Sequence, residues 1–98
     1  VTDSFTVNIA KTLLEDAELV SFPNPSTGLV SVKWHVSKTV KQAKLELCDL
    51  QGRVIQDQRL VSDSGVTKLG LNVDSGIYLM RLIADDRIVR SEKIVITQ

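Results

Sequence analysis

The stretch Phe22-Pro23-Asn24-Pro25-Ser26-Thr27-Gly28, running on into Leu29-Val30-Ser31-Val32-Lys33-Trp34-His35-Val36, decides the fold. Proline fixes φ and lacks a backbone N–H, so Pro23 and Pro25 hold the chain extended and bar both a helix and a central sheet ladder. Ser26, Thr27 and Gly28 supply turn chemistry, with Gly28 free to take positive φ. Beyond the turn, Val30, Val32, Trp34 and Val36 share one phase while Ser31, Lys33 and His35 share the other. That alternation is the period-two signature of a half-buried strand.

Working downstream, Ser37 to Gln42 is polar and reads as a connection. Ala43-Lys44-Leu45-Glu46-Leu47-Cys48 alternates until Asp49-Leu50-Gln51-Gly52, whose leading Asp and closing Gly suit a type I hairpin turn with a glycine bulge. The returning strand is Arg53 to Val61. Ser62-Asp63-Ser64-Gly65 makes the next turn, and Val66 to Val73 follows with Leu69, Leu71 and Val73 on one face. After Asp74-Ser75-Gly76, the apolar run Ile77 to Ala84 reads as a central strand covered on both faces. Asp85-Asp86 turns the chain into Arg87 to Thr97, whose most apolar part is Ile94-Val95-Ile96.

Upstream, Leu19-Val20-Ser21-Phe22 is a short first strand. Phe5, Val7 and Ile9 alternate with polar neighbours, as the last strand of a preceding domain would. Thr12 could cap a short helix with Glu15 at the capping-box position, so residues 1–18 are expected to be a linker or the tail of an upstream domain. Residues 19–98 are then one domain. Seven short strands with regular turn signals predict an all-β fold, a seven-stranded antiparallel immunoglobulin-like β-sandwich.

Composition agrees with one modest core. The chain has 98 residues, of which 43% are hydrophobic but only 4% aromatic, so Val, Ile and Leu must fill the interior. Lys plus Arg and Asp plus Glu are both 12, giving no net charge and no basic field for nucleic acid. A lone cysteine, Cys48, excludes an internal disulfide framework. No apolar run approaches the roughly 18 to 20 residues of a membrane helix, so a soluble domain is expected. The chain opens on Val1 with no export peptide in view, which suggests a fragment of a longer protein.

Catalytic chemistry is not assembled by these residues. His35 lies on the polar phase of its strand and reads as a solvated side chain. Cys48 has no histidine near it in sequence and reads as a partly buried structural thiol. Asp63, Asp74, Asp85 and Asp86 all fall in turns, which local side-chain-to-backbone hydrogen bonding explains better than calcium does. Trp34, in phase with three valines, is a core residue before it is a sugar platform. No enzyme, cofactor or metal is expected.

Four blocks, taken in order, carry a resemblance. They are Phe22 to Gly28; Leu47-Cys48-Asp49-Leu50-Gln51-Gly52-Arg53-Val54; Ser75-Gly76-Ile77-Tyr78-Leu79-Met80-Arg81-Leu82; and Glu92-Lys93-Ile94-Val95-Ile96. Together they resemble the C-terminal sorting domain of type IX secretion substrates, the Por secretion system of Bacteroidetes, in its type A form. The family positions are Pro23, Asn24, Pro25 and Gly28; Gly52 and Arg53; Gly76 and Tyr78; and Lys93, Ile94, Val95 and Ile96 in the terminal strand. Phe22 replaces the more usual tyrosine, Cys48 stands where an aromatic or β-branched residue is common, and the chain ends without the frequent terminal lysine.

The resemblance implies a secretion signal at the end of a larger cargo protein. Such cargo crosses the outer membrane through the type IX translocon to the cell surface or the medium, and a sortase-like peptidase commonly removes the domain. Partners implied are therefore that translocon, that peptidase and a covalently linked upstream cargo domain, with no nucleic acid. Cleavage is expected within residues 10–21, before the sandwich. The terminal strand is a candidate recognition surface, because an edge strand offers unpaired backbone groups for strand addition; the other reading is that Ile94, Val95 and Ile96 complete the core, and both hold if only one edge is used. Whether two copies join through a sheet edge is left open. The alternative is an immunoglobulin-like accessory or carbohydrate-binding module of a secreted hydrolase.

Overall fold

Alternation of apolar and polar residues, broken by glycine, proline and aspartate, produces seven strands in the computed structural model, which describes residues 17–97. They are β1 (Glu18–Phe22), β2 (Leu29–His35), β3 (Ala43–Cys48), β4 (Val54–Leu60), β5 (Ser64–Gly70), β6 (Gly76–Ala84) and β7 (Arg87–Ile96). The alternation at residues 1–11 and the helix cap at Thr12 lie outside the described residues. No described residue is helical, and no helix is long and apolar enough to cross a membrane.

Two antiparallel sheets result, one ordered β1-β2-β5 and the other β4-β3-β6-β7. Consecutive β3 and β4 stay in one sheet because the Asp49–Gly52 turn is tight. The Gly52 N–H donates to the Asp49 carbonyl at 3.0 Å, and Gly52 takes φ +90°, as the bulge geometry read from the sequence demands. The fold is immunoglobulin-like with one change. The constant-type arrangement pairs the fourth strand with the fifth, whereas here β4 pairs with β3 and only β5 crosses to the other sheet.

The core lies between the sheets. Val30, Val32 and Trp34 of β2 face Leu45 and Leu47 of β3, Met80 and Leu82 of β6, and Ile94 and Ile96 of β7. Burying each such side chain stabilises by about 1.5–3 kcal/mol over leaving it in water. Leu47, Met80, Leu82 and Ile94 are at most 2% exposed, so truncating one to alanine would cost about 2–5 kcal/mol. The run Ile77 to Ala84 is central, between β3 and β7, as its composition predicts. It is covered on both faces only over Leu82, Ile83 and Ala84, whereas Ile77 is exposed.

Several local expectations need correcting. Ser64 and Gly65 belong to β5 rather than to a turn, and β5 ends at Gly70 rather than Val73. The segment at Pro23, Asn24 and Pro25 bends rather than runs extended, with cis peptide bonds before both prolines. Cys48 is wholly buried, not partly, and His35 is half-buried rather than freely solvated.

Candidate functional site

The strand register collects the four sequence blocks at one end of the sandwich. Gly76 pairs with Ile96, and Leu79 pairs with both Cys48 and Lys93, so the start of β6, the end of β7 and the β3–β4 turn are neighbours. The β1–β2 connection reaches the same end, because Ser26 within it bridges to Ile96 of β7. Glu18, where upstream chain would join, pairs with His35 at the opposite end. The residues of the four blocks and the start of β1 are therefore separated by the length of the strands.

Asn24 is the link between the first block and the last. Its Nδ2 donates to the Lys93 carbonyl at 2.8 Å, and its Oδ1 accepts from the Val95 N–H at 2.9 Å. The side-chain amide thus imitates a strand residue along the outer edge of β7. Ser26 continues the imitation with its backbone: its N–H donates to the Val95 carbonyl at 2.9 Å, and its carbonyl accepts from the Thr97 N–H at 2.8 Å. Ser26 and Ile96 form a parallel bridge. The chain that leaves β1 in one sheet therefore adds itself to β7 of the other.

This overturns the expectation that the terminal strand offers unpaired backbone groups. Between Lys93 and Thr97 its outer edge is already occupied by the protein's own 24–26 segment. The physical reason is that a bare strand edge is open to pairing with any chain, and the nearest segment of the protein's own chain takes it. Ser26, expected from the sequence as a turn residue, is one, but it is also buried and bridges to β7, which the sequence did not announce. Its hydroxyl donates to the Leu29 carbonyl at 2.9 Å and accepts from the Gly28 N–H at 3.1 Å, which fixes the turn in which Gly28 takes φ +118°.

The second block is organised by Asp49. One carboxylate oxygen accepts from the backbone N–H of Gln51 and of Arg53, and the other accepts from Arg53 Nε at 3.0 Å. The Arg53 N–H aimed at the carboxylate, with help from the guanidinium, holds the Asp49 carboxyl below its ordinary range. Arg53 itself stands out, its side chain 81% exposed.

In the third block, Tyr78 rests its ring on the core and donates its hydroxyl to the Asp74 carbonyl four residues upstream at 2.7 Å. This is the tyrosine corner of immunoglobulin-like sandwiches, located at the corner entering the sixth strand. Gly76 takes no left-handed φ, and a Cβ there would meet the Tyr78 ring at an ordinary 3.7 Å, so neither conformation nor space requires that glycine. In the fourth block, Ile94 and Ile96 are buried in the core, Val95 is half-buried, and the Lys93 side chain is exposed beside Leu79.

The remaining sequence candidates are placed in structural roles. Trp34 is 7% exposed and packed over Gly65, with its indole N–H toward the Ser62 carbonyl at 3.4 Å, so it presents no platform. The Asp85 carboxylate accepts from the N–H groups of Lys41 and Gln42, tying the β2–β3 connection to the β6–β7 turn. Burial pushes the Cys48 thiol up, away from the reactive thiolate. A groove of about 300 Å³ over β3 and β4 is lined by Lys44, Asp57, Arg59, Ile83 and Asp86. Among the described residues, no three His, Cys, Asp or Glu side chains converge as metal ligands.

Fold and site together define an immunoglobulin-like module whose distinctive residues shape a surface at one end rather than line a pocket. The sequence matches the family described as the secretion system C-terminal sorting domain over residues 20–97. The chain belongs to that family, and it is a type IX C-terminal sorting signal. No curated protein matches it. Among solved structures, the crystal structure of Ruminococcus gnavus beta-glucuronidase in complex with uronic isofagomine aligns over 85% of this chain and 15% of that one, at 16% identity and a TM-score of 0.46.

Proposed function

We propose that residues 19–98 are a non-catalytic address label, carried at the C-terminal end of a larger exported protein and read at the sandwich end where the four blocks meet. The observation that carries this reading is the Asn24 clamp, which joins the first block to the last on top of the family match. Exposed Pro23, Asn24, Pro25, Gly52, Arg53 and Lys93 form the surface that a translocon component contacts. Gly28, Tyr78, Ile94, Val95 and Ile96 give that surface its shape, with Gly76 leading the chain into β6 beneath Tyr78. A sortase-like peptidase then cuts in the linker before the sandwich, within the 10–17 part of the expected range, since residues 18–21 lie in β1, and the cargo is released or attached at the cell surface. The distance between Glu18, at the start of β1, and the motif end lets one protein hold the domain while another cuts upstream of it.

The test is export of a reporter fused upstream of this domain in a host with an active type IX system. Exchanging Arg53 and Lys93 together for alanine is expected to stop the reporter inside the outer membrane while leaving the domain's melting temperature within a few degrees. Normal surface display of that variant would refute recognition at this end. Deleting residues 94–98 should also stop export, but it removes core side chains, so its unfolding must be measured alongside.

A further inference from the structure

We propose that the domain self-associates through the free edge of β4, in an antiparallel pairing about a two-fold axis at Gln58. The other edges are managed. The lower half of β7 is covered by Asn24 and Ser26, and β1 lies against β7, where the Ser21 N–H reaches the Glu92 carboxylate at 3.1 Å. β5 carries Lys68 in mid-edge, the usual charged guard.

β4 differs in geometry. Because β1 sits against β7, the three strands of the first sheet lie across from β7, β6 and β3, and β4 overhangs by one strand, about 4.8 Å. Its burial agrees: only Leu60 is buried, and Asp57, Gln58 and Arg59 are exposed in succession. A second copy can add to this edge without meeting β5.

The backbone is set for it. The Asp49 N–H points to Arg53, and the Gln42 carbonyl accepts from Asp85 of the other neighbour, so odd residues of β3 bond to β4 and even ones to β6. Opposite those odd residues stand Gln56, Gln58 and Leu60. Asp57 and Arg59 therefore turn their N–H and C=O groups outward. The Arg59 carbonyl has found only the exposed amide of adjacent Gln58, at 3.3 Å.

The side chains supply the register. Within the protomer Asp57 stands opposite Glu46, and Arg59 opposite Lys44, a like-charge neighbour in each case. Lys44 and Glu46 pair with each other at 3.1 Å. A two-fold axis at Gln58 sets Asp57 against Arg59 of the second copy twice over. It also sets Ile55 against Val61, which are 39% and 96% exposed. One axis thus answers both charges and covers both apolar side chains, as an isologous interface requires. The motif end of each β7 remains open, on the far side of the sandwich.

Sedimentation equilibrium of the full chain tests this. An interface limited to one strand edge falls in the small class, so a dissociation constant of about 100 μM is expected. Arg59→Asp should weaken it about tenfold or more, and the double exchange Asp57→Arg with Arg59→Asp should restore it. Gln58→Cys, at the close non-hydrogen-bonded pair on the axis, should form an intermolecular disulfide with oxidised glutathione, whereas Lys68→Cys on β5 should not. A chain monomeric at every concentration, or a dimer indifferent to Arg59→Asp, would overturn the proposal. Preferential cross-linking of Lys68→Cys would do the same.

Discussion

Asn24 and Val95 are 71 residues apart in sequence and 2.9 Å apart in space, joined by a backbone N–H donating to a side-chain oxygen. With the bond from Asn24 to the Lys93 carbonyl, this makes one side chain stand in for a missing strand. Asn24→Ala leaves a donor and an acceptor on the β7 edge facing water instead of protein. Because the site is exposed, the expected loss is modest, about 1 kcal/mol in urea unfolding. Hydrogen exchange is the sharper readout: the Val95 amide should exchange markedly faster, and the β3 amides should not. Equal acceleration throughout would mean that Asn24 acts only through global stability.

The clamp also marks where the sequence could and could not be read. All seven strands were legible from local signals: alternation around residues such as Leu45 and Val32, the apolar run of β6, and turns at Asp49–Gly52 and Asp85–Asp86 that place the strands beside them. The β3–β4 hairpin was legible for the same reason. The crossing of β5 to the sheet of β2, the tyrosine corner from Tyr78 to Asp74, and the capture of β7 by Asn24 and Ser26 were not. Sheet partition and edge capture depend on contacts between segments distant in sequence. Pro23 and Pro25 announced that the ladder stops; they did not announce which strand the chain joins next.

Gly65 and Gly70 are both in β5, yet they should respond oppositely to alanine. A Cβ on Gly65 would lie 2.8 Å from Trp34 Cη2, so the buried indole must shift; a Cβ on Gly70 meets nothing within 4 Å. Gly65→Ala should cost about 1–3 kcal/mol, the usual penalty of overpacking, with a change in tryptophan emission. Gly70→Ala should be neutral or slightly stabilising, since it mainly restricts the unfolded chain. Similar losses at both positions would show that Trp34 does not pack over Gly65.

Asp49 gives the fold an acid-sensitive contribution. Its carboxyl is held below the ordinary range by the Arg53 N–H, so the folded state binds its proton less readily than the unfolded chain. The resulting stabilisation is present above the unfolded carboxyl range, about pH 4, and is lost as pH falls through the lower folded value. The advantage of the native chain over Asp49→Asn should therefore be largest near neutrality and fade in acid. A stability difference that stays constant from neutral to strongly acid pH would refute this assignment, as would an NMR titration midpoint for Asp49 at or above the ordinary value.

Cys48 reports on unfolding rather than on chemistry. Its thiol is fully buried, and burial disfavours the thiolate, the only form that attacks an alkylating reagent at a useful rate. Labelling by iodoacetamide in native buffer should be slow and should accelerate with urea in parallel with global unfolding. Because β3 lies in the middle of its sheet, with β4 on one side and β6 on the other, fraying of an outer strand does not free the sulfur. Destabilising variants such as Gly65→Ala should therefore speed labelling by the factor that their measured free-energy loss predicts, about tenfold for each 1.4 kcal/mol. Rapid labelling of the native chain, with no dependence on urea or on those variants, would place the thiol at the surface and contradict the packing of β3.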